Sequence, residues 1–244
     1  MRNFLKSLNY NLIRKFRSSI NYKLDKNFTF VNDLRENGCH VQKEFYEKNN
    51  LAHDIINQFE KIPKEKIISI IQNYKNNSGR YNYRKYITNF FDNKLLLEYA
   101  NQNLFKDNFQ QYFGLEPKIR FISVWLDFPT LDNNEKNSQI FHRDTDDIYL
   151  VKTFLCLTNI NMENGPFEFI KTSHKKPWDQ NVNNYLKTQP SLVKTFSLNK
   201  GDLYMADTNG FHRGKILSND YRVLLNVHYV SSKPRVGFLN QIIN

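Results

Sequence analysis

The chain has 244 residues, of which 40% are hydrophobic and 15% aromatic. This length and composition exclude wholesale disorder and allow a sizeable buried core. Cys39 and Cys156 are the only cysteines and lie far apart in the sequence. They exclude a zinc ribbon, a C-x-x-C redox motif and a disulfide-stapled scaffold, and they indicate a reducing compartment.

The net charge of +11 is distributed unevenly along the chain. Residues 1–26 hold seven basic side chains and one acid, so this segment carries more than half of the excess positive charge. The remainder is mildly basic and rich in Lys and Asn throughout, unlike a focused nucleic-acid surface. We therefore expect no nucleic-acid partner.

The first 26 residues predict a basic amphipathic helix. Apolar residues recur at steps of three and four and form one stripe. They are Phe4, Leu5, Leu8, Leu12, Ile13, Phe16 and Ile20. Three interpretations stay open: peripheral contact with an anionic membrane, a transit segment, or a helix docked on the domain. The expected location is the cytoplasm, with peripheral membrane association as the alternative.

Residues 27–244 are predicted to form a single domain whose first half, about 43–113, is mainly helical support. Residues 28–41 are predicted as two short strands around a turn at Asn37-Gly38. The helices are predicted over 43–60, over 64–76 after Pro63, and over 90–113 before Gly114.

The second half, about 118–230, is rich in β-branched and aromatic residues, which favour strands. After Pro117 the strand-like runs are 118–128, 149–160, 167–171, 195–198, 201–207 and 221–230. Helices followed by many short strands predict a sandwich or barrel. We therefore expect a mainly β fold with N-terminal helices.

Three residues have the types and spacing of a metal site. His142 and Asp144 form an H-x-D pair, and residues i and i+2 of a strand point to the same side. His212 follows in the loop after the predicted strand GDLYMAD. Two imidazoles and one carboxylate on one face are typical of non-haem Fe(II) oxygenases, which keep open positions for other ligands.

Arg222 lies ten residues after His212, at the start of an apolar predicted strand. A guanidinium there is suited to binding the far carboxylate of a dicarboxylic acid through two hydrogen bonds. The alternative is an arginine on the protein surface. The apolar strand that follows favours the buried position.

Three further residues are candidates for contact with a cosubstrate. Alternation puts Lys152 and Thr153 on opposite faces of one predicted strand. If Lys152 faces inward it could meet a carboxylate of cosubstrate or substrate, since buried lysines are rare without a partner. If it faces solvent, Thr153 takes the inward place. Asn226 shares the Arg222 face, as does His228, which is better explained as a core histidine.

Several passages, in order, resemble the phytanoyl-CoA dioxygenase family. These passages are ENGCHVQKEF (36–45), QIFHRDTDD (139–147), VKTFLCLTNINMENGPFEFIKTSHK (151–175) and GDLYMADTNGFHRG (201–214), followed by YRVLLNVHYV. The resemblance covers about residues 30–230. It implies a double-stranded β-helix, or jelly roll, with N-terminal helices bracing one sheet.

The resemblance implies a chemistry and a role for each matching residue. His142, Asp144 and His212 would bind Fe(II), and Arg222 would bind the C5 carboxylate of the cosubstrate 2-oxoglutarate. With O2, the reaction would hydroxylate a C–H bond and release succinate and CO2. Asp144 argues against a halogenase, which would need an open site for halide.

One departure from the family pattern affects the cosubstrate site. Many members have a hydroxyl residue two positions after the distal histidine, where this chain has Gly214. One helper for the C5 carboxylate is therefore missing or supplied elsewhere. The change from Gly to Thr172 in the family's PGSH turn is expected to be structural.

The expected substrate is a small polar metabolite or a sugar- or lipid-linked one, because the predicted pocket loops lack a long apolar run. Two other functions stay open: a jelly-roll binding module without turnover, and a metal-dependent hydrolase with the same ligands. The hydrolase would not explain Arg222. The intact ligand set argues against the binding module.

Overall fold

The computed structural model describes residues 29–75, 83–130, 134–176, 181–231 and 241–243. The predicted helix over 1–26 lies outside the described residues. Six α-helices are described: α1 (Thr29–Glu36), α2 (Asn50–Glu60), α3 (Lys64–Lys75), α4 (Asn93–Ala100), α5 (Asn103–Phe113) and α6 (Val182–Thr188). None of the described helices is long and apolar enough to cross a membrane.

Ten strands are described, most of them in the second half of the chain. They are β1 (Cys39–Gln42), β2 (Arg84–Tyr86), β3 (Lys118–Asp127), β4 (Leu150–Cys156), β5 (Phe167–Ile170), β6 (Val193–Phe196), β7 (Leu203–Asp207), β8 (His212–Gly214), β9 (Arg222–Val230) and β10 (Gln241–Ile243). The larger sheet has the order β1-β7-β4-β9-β3-β10, with β2 also paired to β3, and the smaller has the order β6-β5-β8. The fold is a double-stranded β-helix with N-terminal helices, as predicted.

Alternation along the central strands separates two layers of core. On β9, Leu225 and Tyr229 belong to the cluster formed with the helices, where Tyr229 packs 4.7 Å from Phe109. Leu224, the residue directly before Leu225, points to the opposite face and belongs to the cluster between the two sheets. The helices therefore bury one face of the larger sheet and leave its other face to the second sheet. That inner face carries the site.

The structure corrects two predicted elements in the helical half. Residues 29–36 form helix α1, where a strand was predicted, because Phe30 and Leu34 are one turn apart and both are buried. The predicted helix over 90–113 is two helices. Gln102 has extended backbone angles (φ −57°, ψ 141°), and this break lets Tyr99 and Phe105 pack edge to face at 5.4 Å.

Candidate active site

The predicted metal ligands and Arg222 line one cavity of about 390 Å³ on the inner face of the larger sheet. Its wall also includes Lys152 and Arg84. The aromatic part of the wall consists of Tyr86, Phe121, Trp125, Phe154, Phe167 and Tyr204. The cavity thus has charged groups at several points and apolar surface between them, as small-molecule sites do.

Backbone hydrogen bonds bring the three predicted ligands together. His142 and His212 form an isolated antiparallel bridge, with both N···O distances 3.0 Å. The backbone N–H of Asp144 donates to the carbonyl of Thr208 at 2.8 Å. One ligand atom from each of the three side chains lies within 4.8 Å of the others.

The local backbone at the ligands differs from the prediction. His142 and Asp144 do not lie in a regular strand; the bridge to His212 sets their orientation. His212 begins strand β8 and was predicted in a loop. The short β8 was missed because its three residues carry too little pattern, and its pairing with β5 defines it.

Both histidine rings are oriented by backbone carbonyls. The Nδ1 of His142 lies 2.8 Å from the carbonyl oxygen of Ile140, and the Nδ1 of His212 lies 3.0 Å from that of Gly210. A neutral ring donating from Nδ1 keeps its Nε2 lone pair free for a metal. These Nε2 atoms lie 3.8 Å (His142) and 3.6 Å (His212) from oxygens of Asp144.

The ionisation states of the ligands suit a divalent cation. Burial, and then the neighbouring His142, lower the pKa of His212 to about 3 despite the opposing effect of Asp144. Burial would raise the pKa of Asp144, but the Lys152 ammonium and the two histidines bring it well below its ordinary value. At neutral pH the set is therefore one carboxylate and one neutral imidazole at His212. Imidazole and carboxylate donors fit Fe(II).

At the other end of the cavity, a buried carboxylate joins two arginines. Asp127 is fully buried and accepts from Arg84 Nε at 2.6 Å and from a second Arg84 nitrogen at 2.9 Å. Arg222 donates to Asp127 Oδ2 at 3.0 and 2.7 Å. Burial would raise the pKa of Asp127, but the two guanidiniums lower it. The Asp127 carboxylate is therefore ionised. Together with the guanidiniums of Arg84 and Arg222 it leaves one net positive charge at this end of the cavity.

Sequence reasoning missed Arg84 and Asp127. Arg84 lies on β2, which pairs with β3, so that Arg84 is directly opposite Asp127. The guanidinium of Arg84 stacks on the ring of Trp125, 3.7 Å from its centroid. Nothing in the local sequence around Arg84 indicates this pairing, because it depends on two strands that are distant in the chain.

Gly214 also contributes to the arginine end. A Cβ at this position would lie 2.5 Å from a terminal nitrogen of Arg222. A larger residue such as serine here would therefore displace the guanidinium. Arg84 also lines the cavity at this end and provides a second guanidinium there.

The remaining predicted residues differ in position. Lys152 lines the cavity, and its Nζ lies 2.7 Å from Asp144 Oδ2. Thr153 is on the opposite face of β4, with Val151 and Leu155, which pack in the helix-facing core. Asn226 is fully buried and donates to the carbonyl of Thr153 at 3.2 Å. Neither Thr153 nor Asn226 belongs to the described cavity wall.

Many solved structures share this fold, among them the following three. AviO1 from Streptomyces viridochromogenes Tue57 has a TM-score of 0.61 at 16% identity, covering 88% of this chain and 99% of that one. The epimerase SnoN, from nogalamycin biosynthesis, in complex with Fe3+, alpha ketoglutarate and nogalamycin RO, has a TM-score of 0.59 at 13% identity (86% and 85%). HygX from Streptomyces hygroscopicus, with nickel, 2-oxoglutarate and hygromycin B, has a TM-score of 0.55 at 11% identity (89% and 97%).

No protein-family model and no curated protein matches the sequence. At these identities the likeness establishes the fold. The class defined by fold and site is a jelly-roll protein with a His-Asp-His cluster in its cavity. Two of the three structures above hold a metal and 2-oxoglutarate.

Proposed function

We propose that this protein is an Fe(II)- and 2-oxoglutarate-dependent dioxygenase of the phytanoyl-CoA dioxygenase type. It hydroxylates a C–H bond of a small polar or carrier-linked metabolite. The observation that carries the proposal is that one cavity holds a His-Asp-His cluster and a guanidinium pair at separate points of its wall. This combination suits a metal that is chelated by a dicarboxylic acid whose far end needs a cationic partner.

Each residue has a distinct part in this proposal. His142, Asp144 and His212 would hold Fe(II), and the carbonyls behind the two rings leave both Nε2 atoms free to bind it. Arg222 and Arg84 bind the C5 carboxylate of 2-oxoglutarate, and Asp127 orients both guanidiniums. The aromatic residues line the space between the two ends.

The bound metal supplies the activation of O2. In the overall reaction one oxygen atom of O2 enters the C–H bond of the substrate, and the other enters succinate as 2-oxoglutarate loses CO2. The C–H step needs no general acid or base from the chain. The protein supplies binding, orientation and electrostatics, while the metal and cosubstrate carry the oxidation.

The alternatives explain less of the site. A metal-dependent hydrolase would use the same three ligands but has no need for the Arg84–Asp127–Arg222 group. A binding module without turnover would not need the two Nε2 atoms and the carboxylate oriented toward one point. Because SnoN is an epimerase, product analysis is required to separate hydroxylation from other oxidative outcomes.

The test is an anaerobic titration of the metal-free protein with Fe(II) and 2-oxoglutarate, monitored by the visible metal-to-ligand charge-transfer band. We expect a band in the wild type, none in His212→Ala, and a band that needs about tenfold more 2-oxoglutarate in Arg222→Ala. His53→Ala, at a half-exposed histidine on α2, is the matched control and should behave as wild type. Bound iron without a band would refute the 2-oxoglutarate assignment.

A further inference from the structure

Lys152 is a mostly buried cation, and within the described part of the chain its one ion-pair partner is Asp144, a predicted metal ligand. It lies in the middle of β4, between β7 and β9, where its register partners are Ala206 and His228. Its side chain is 12% exposed, and its Nζ lies 2.7 Å from Asp144 Oδ2. A buried ammonium is costly unless an anion compensates it.

The groups around Lys152 do not supply a second negative charge. On β9, burial and then the Lys152 ammonium lower the pKa of His228 well below its ordinary value, so that ring is neutral. The ring of Phe121 packs edge to face against His228 at 4.6 Å. Asp146, on the nearby loop, is paired with Arg120 at 2.5 Å. Asp144 is therefore the carboxylate that balances Lys152 among these described groups.

When metal and 2-oxoglutarate are bound, the charge balance around Lys152 changes; the inference from here on rests on the proposed function. The positive charges are then a metal dication, Arg84, Arg222 and Lys152. The negative charges are Asp144, Asp127 and the two carboxylates of 2-oxoglutarate. The dication and the two arginines already balance all of these negative charges. One positive charge, on the mostly buried Lys152, is left in the cavity wall.

We propose that Lys152 binds an anionic group of the substrate, so that the substrate is an acid rather than a neutral metabolite. A carboxylate, a phosphate monoester or a sulfate has the required chemistry, because each accepts charge-assisted hydrogen bonds from an ammonium. The ammonium contacts Asp144, so this anion is held close to the metal ligands. The carbon that reacts is accordingly near the acidic group of the substrate.

The experiment uses the full chain, loaded anaerobically with Fe(II) and 2-oxoglutarate until the charge-transfer band is saturated. Two matched pairs of probes are titrated by calorimetry: acetate with acetamide, and benzoate with benzamide. Each pair has nearly the same shape and differs in charge. The variants are Lys152→Gln, which keeps a hydrogen-bond donor near Asp144, Lys152→Arg, which keeps the charge, and Lys194→Met, an exposed lysine on β6, as the control.

We expect the wild type to bind at least one carboxylate probe about tenfold more tightly than its amide. Lys152→Arg and Lys194→Met should keep this preference, and Lys152→Gln should lose it. The band must persist during titration, which shows that the probe has not displaced 2-oxoglutarate. Wild-type protein that binds both members of each pair equally, or neither member, overturns the proposal. So does a preference that survives in Lys152→Gln.

The two proposals fail in different ways. If no charge-transfer band forms before any probe is added, the proposed function is wrong. If the band forms normally and the probes show no preference for charge, the oxygenase assignment stands and the acidic substrate is excluded.

Discussion

The two ends of the cavity hold their functional groups by different means. At the metal end, backbone atoms do most of the positioning: carbonyls orient both histidine rings, and a backbone bridge joins His142 to His212. At the arginine end, the positioning is done by side chains, since Asp127 accepts from both Arg84 and Arg222.

This difference determines how each end responds to substitution. Losing one ligand at the metal end leaves the backbone that holds the other two intact. Losing Asp127 releases two buried guanidiniums at once and leaves both without their carboxylate. We therefore expect the arginine end to be the more sensitive to a single change, in stability as well as in binding.

The largest expected effect on stability is that of Asp127→Asn. The variant should lose about 3–5 kcal/mol in the free energy of unfolding, because a buried ion pair is broken from one side. Its affinity for 2-oxoglutarate should fall while Fe(II) affinity is retained. Urea denaturation and the charge-transfer titration measure the two effects.

The acid dependence of the same variant gives a second check. The pKa of Asp127 is lowered in the folded protein, so its contribution is present above the unfolded-state value and is lost as pH falls through the folded value. The stability difference between wild type and Asp127→Asn should therefore narrow below about pH 4. A stability difference between wild type and Asp127→Asn that does not change with pH would contradict a charged Asp127 in the folded protein.

The second effect concerns the metal end. Asp144→Asn should abolish Fe(II) binding and cost about 2 kcal/mol of stability, because Lys152 loses its carboxylate in a mostly buried position. Adding Lys152→Met should restore most of the stability but none of the metal binding. Thermal denaturation of the single and double variants measures the stability, and iron titration measures the Fe(II) binding. If the double variant is less stable than Asp144→Asn, the Lys152–Asp144 pair does not contribute as argued.

The third prediction tests the role of Gly214. The added Cβ in Gly214→Ala or Gly214→Ser should displace the Arg222 guanidinium and weaken 2-oxoglutarate binding by about tenfold. Fe(II) affinity should be unchanged in both. Comparing the two variants separates a steric effect from a missing hydroxyl. If the serine hydroxyl helps to bind the cosubstrate, Gly214→Ser should bind 2-oxoglutarate more tightly than Gly214→Ala. Equal weakening supports the steric explanation.

The sequence predicted most of the strands but not the form of the helical half. The run over 118–128 is close to β3 because its composition is strongly β-forming throughout. Within 28–41, the turn at Asn37-Gly38 and the second strand were predicted correctly, but the first strand was wrong, because the burial of Phe30 and Leu34 against the helices favours α1. Tertiary packing outweighed the local sequence pattern there.

The residues of the candidate site were likewise predicted only in part. His142, Asp144 and His212 could be found because ligand chemistry restricts both residue type and spacing. Arg84 and Asp127 could not, because their contact joins residues 43 positions apart through the pairing of β2 with β3. The inward position of Lys152 was left open by alternation alone, and the register of β4 between β7 and β9 determines it.

The smallest expected effect, at Trp125, sharpens the contrast between the two ends. The Arg84 guanidinium lies 3.7 Å from the centroid of this ring, so Trp125→Leu should remove a cation–π contact worth about 1 kcal/mol. Trp125→Phe keeps an aromatic face and should recover part of it. Because Arg84 also holds two hydrogen bonds to Asp127, the loss should weaken 2-oxoglutarate binding by no more than about fivefold. A loss as large as that of Asp127→Asn would mean that stacking, and not the carboxylate, positions Arg84.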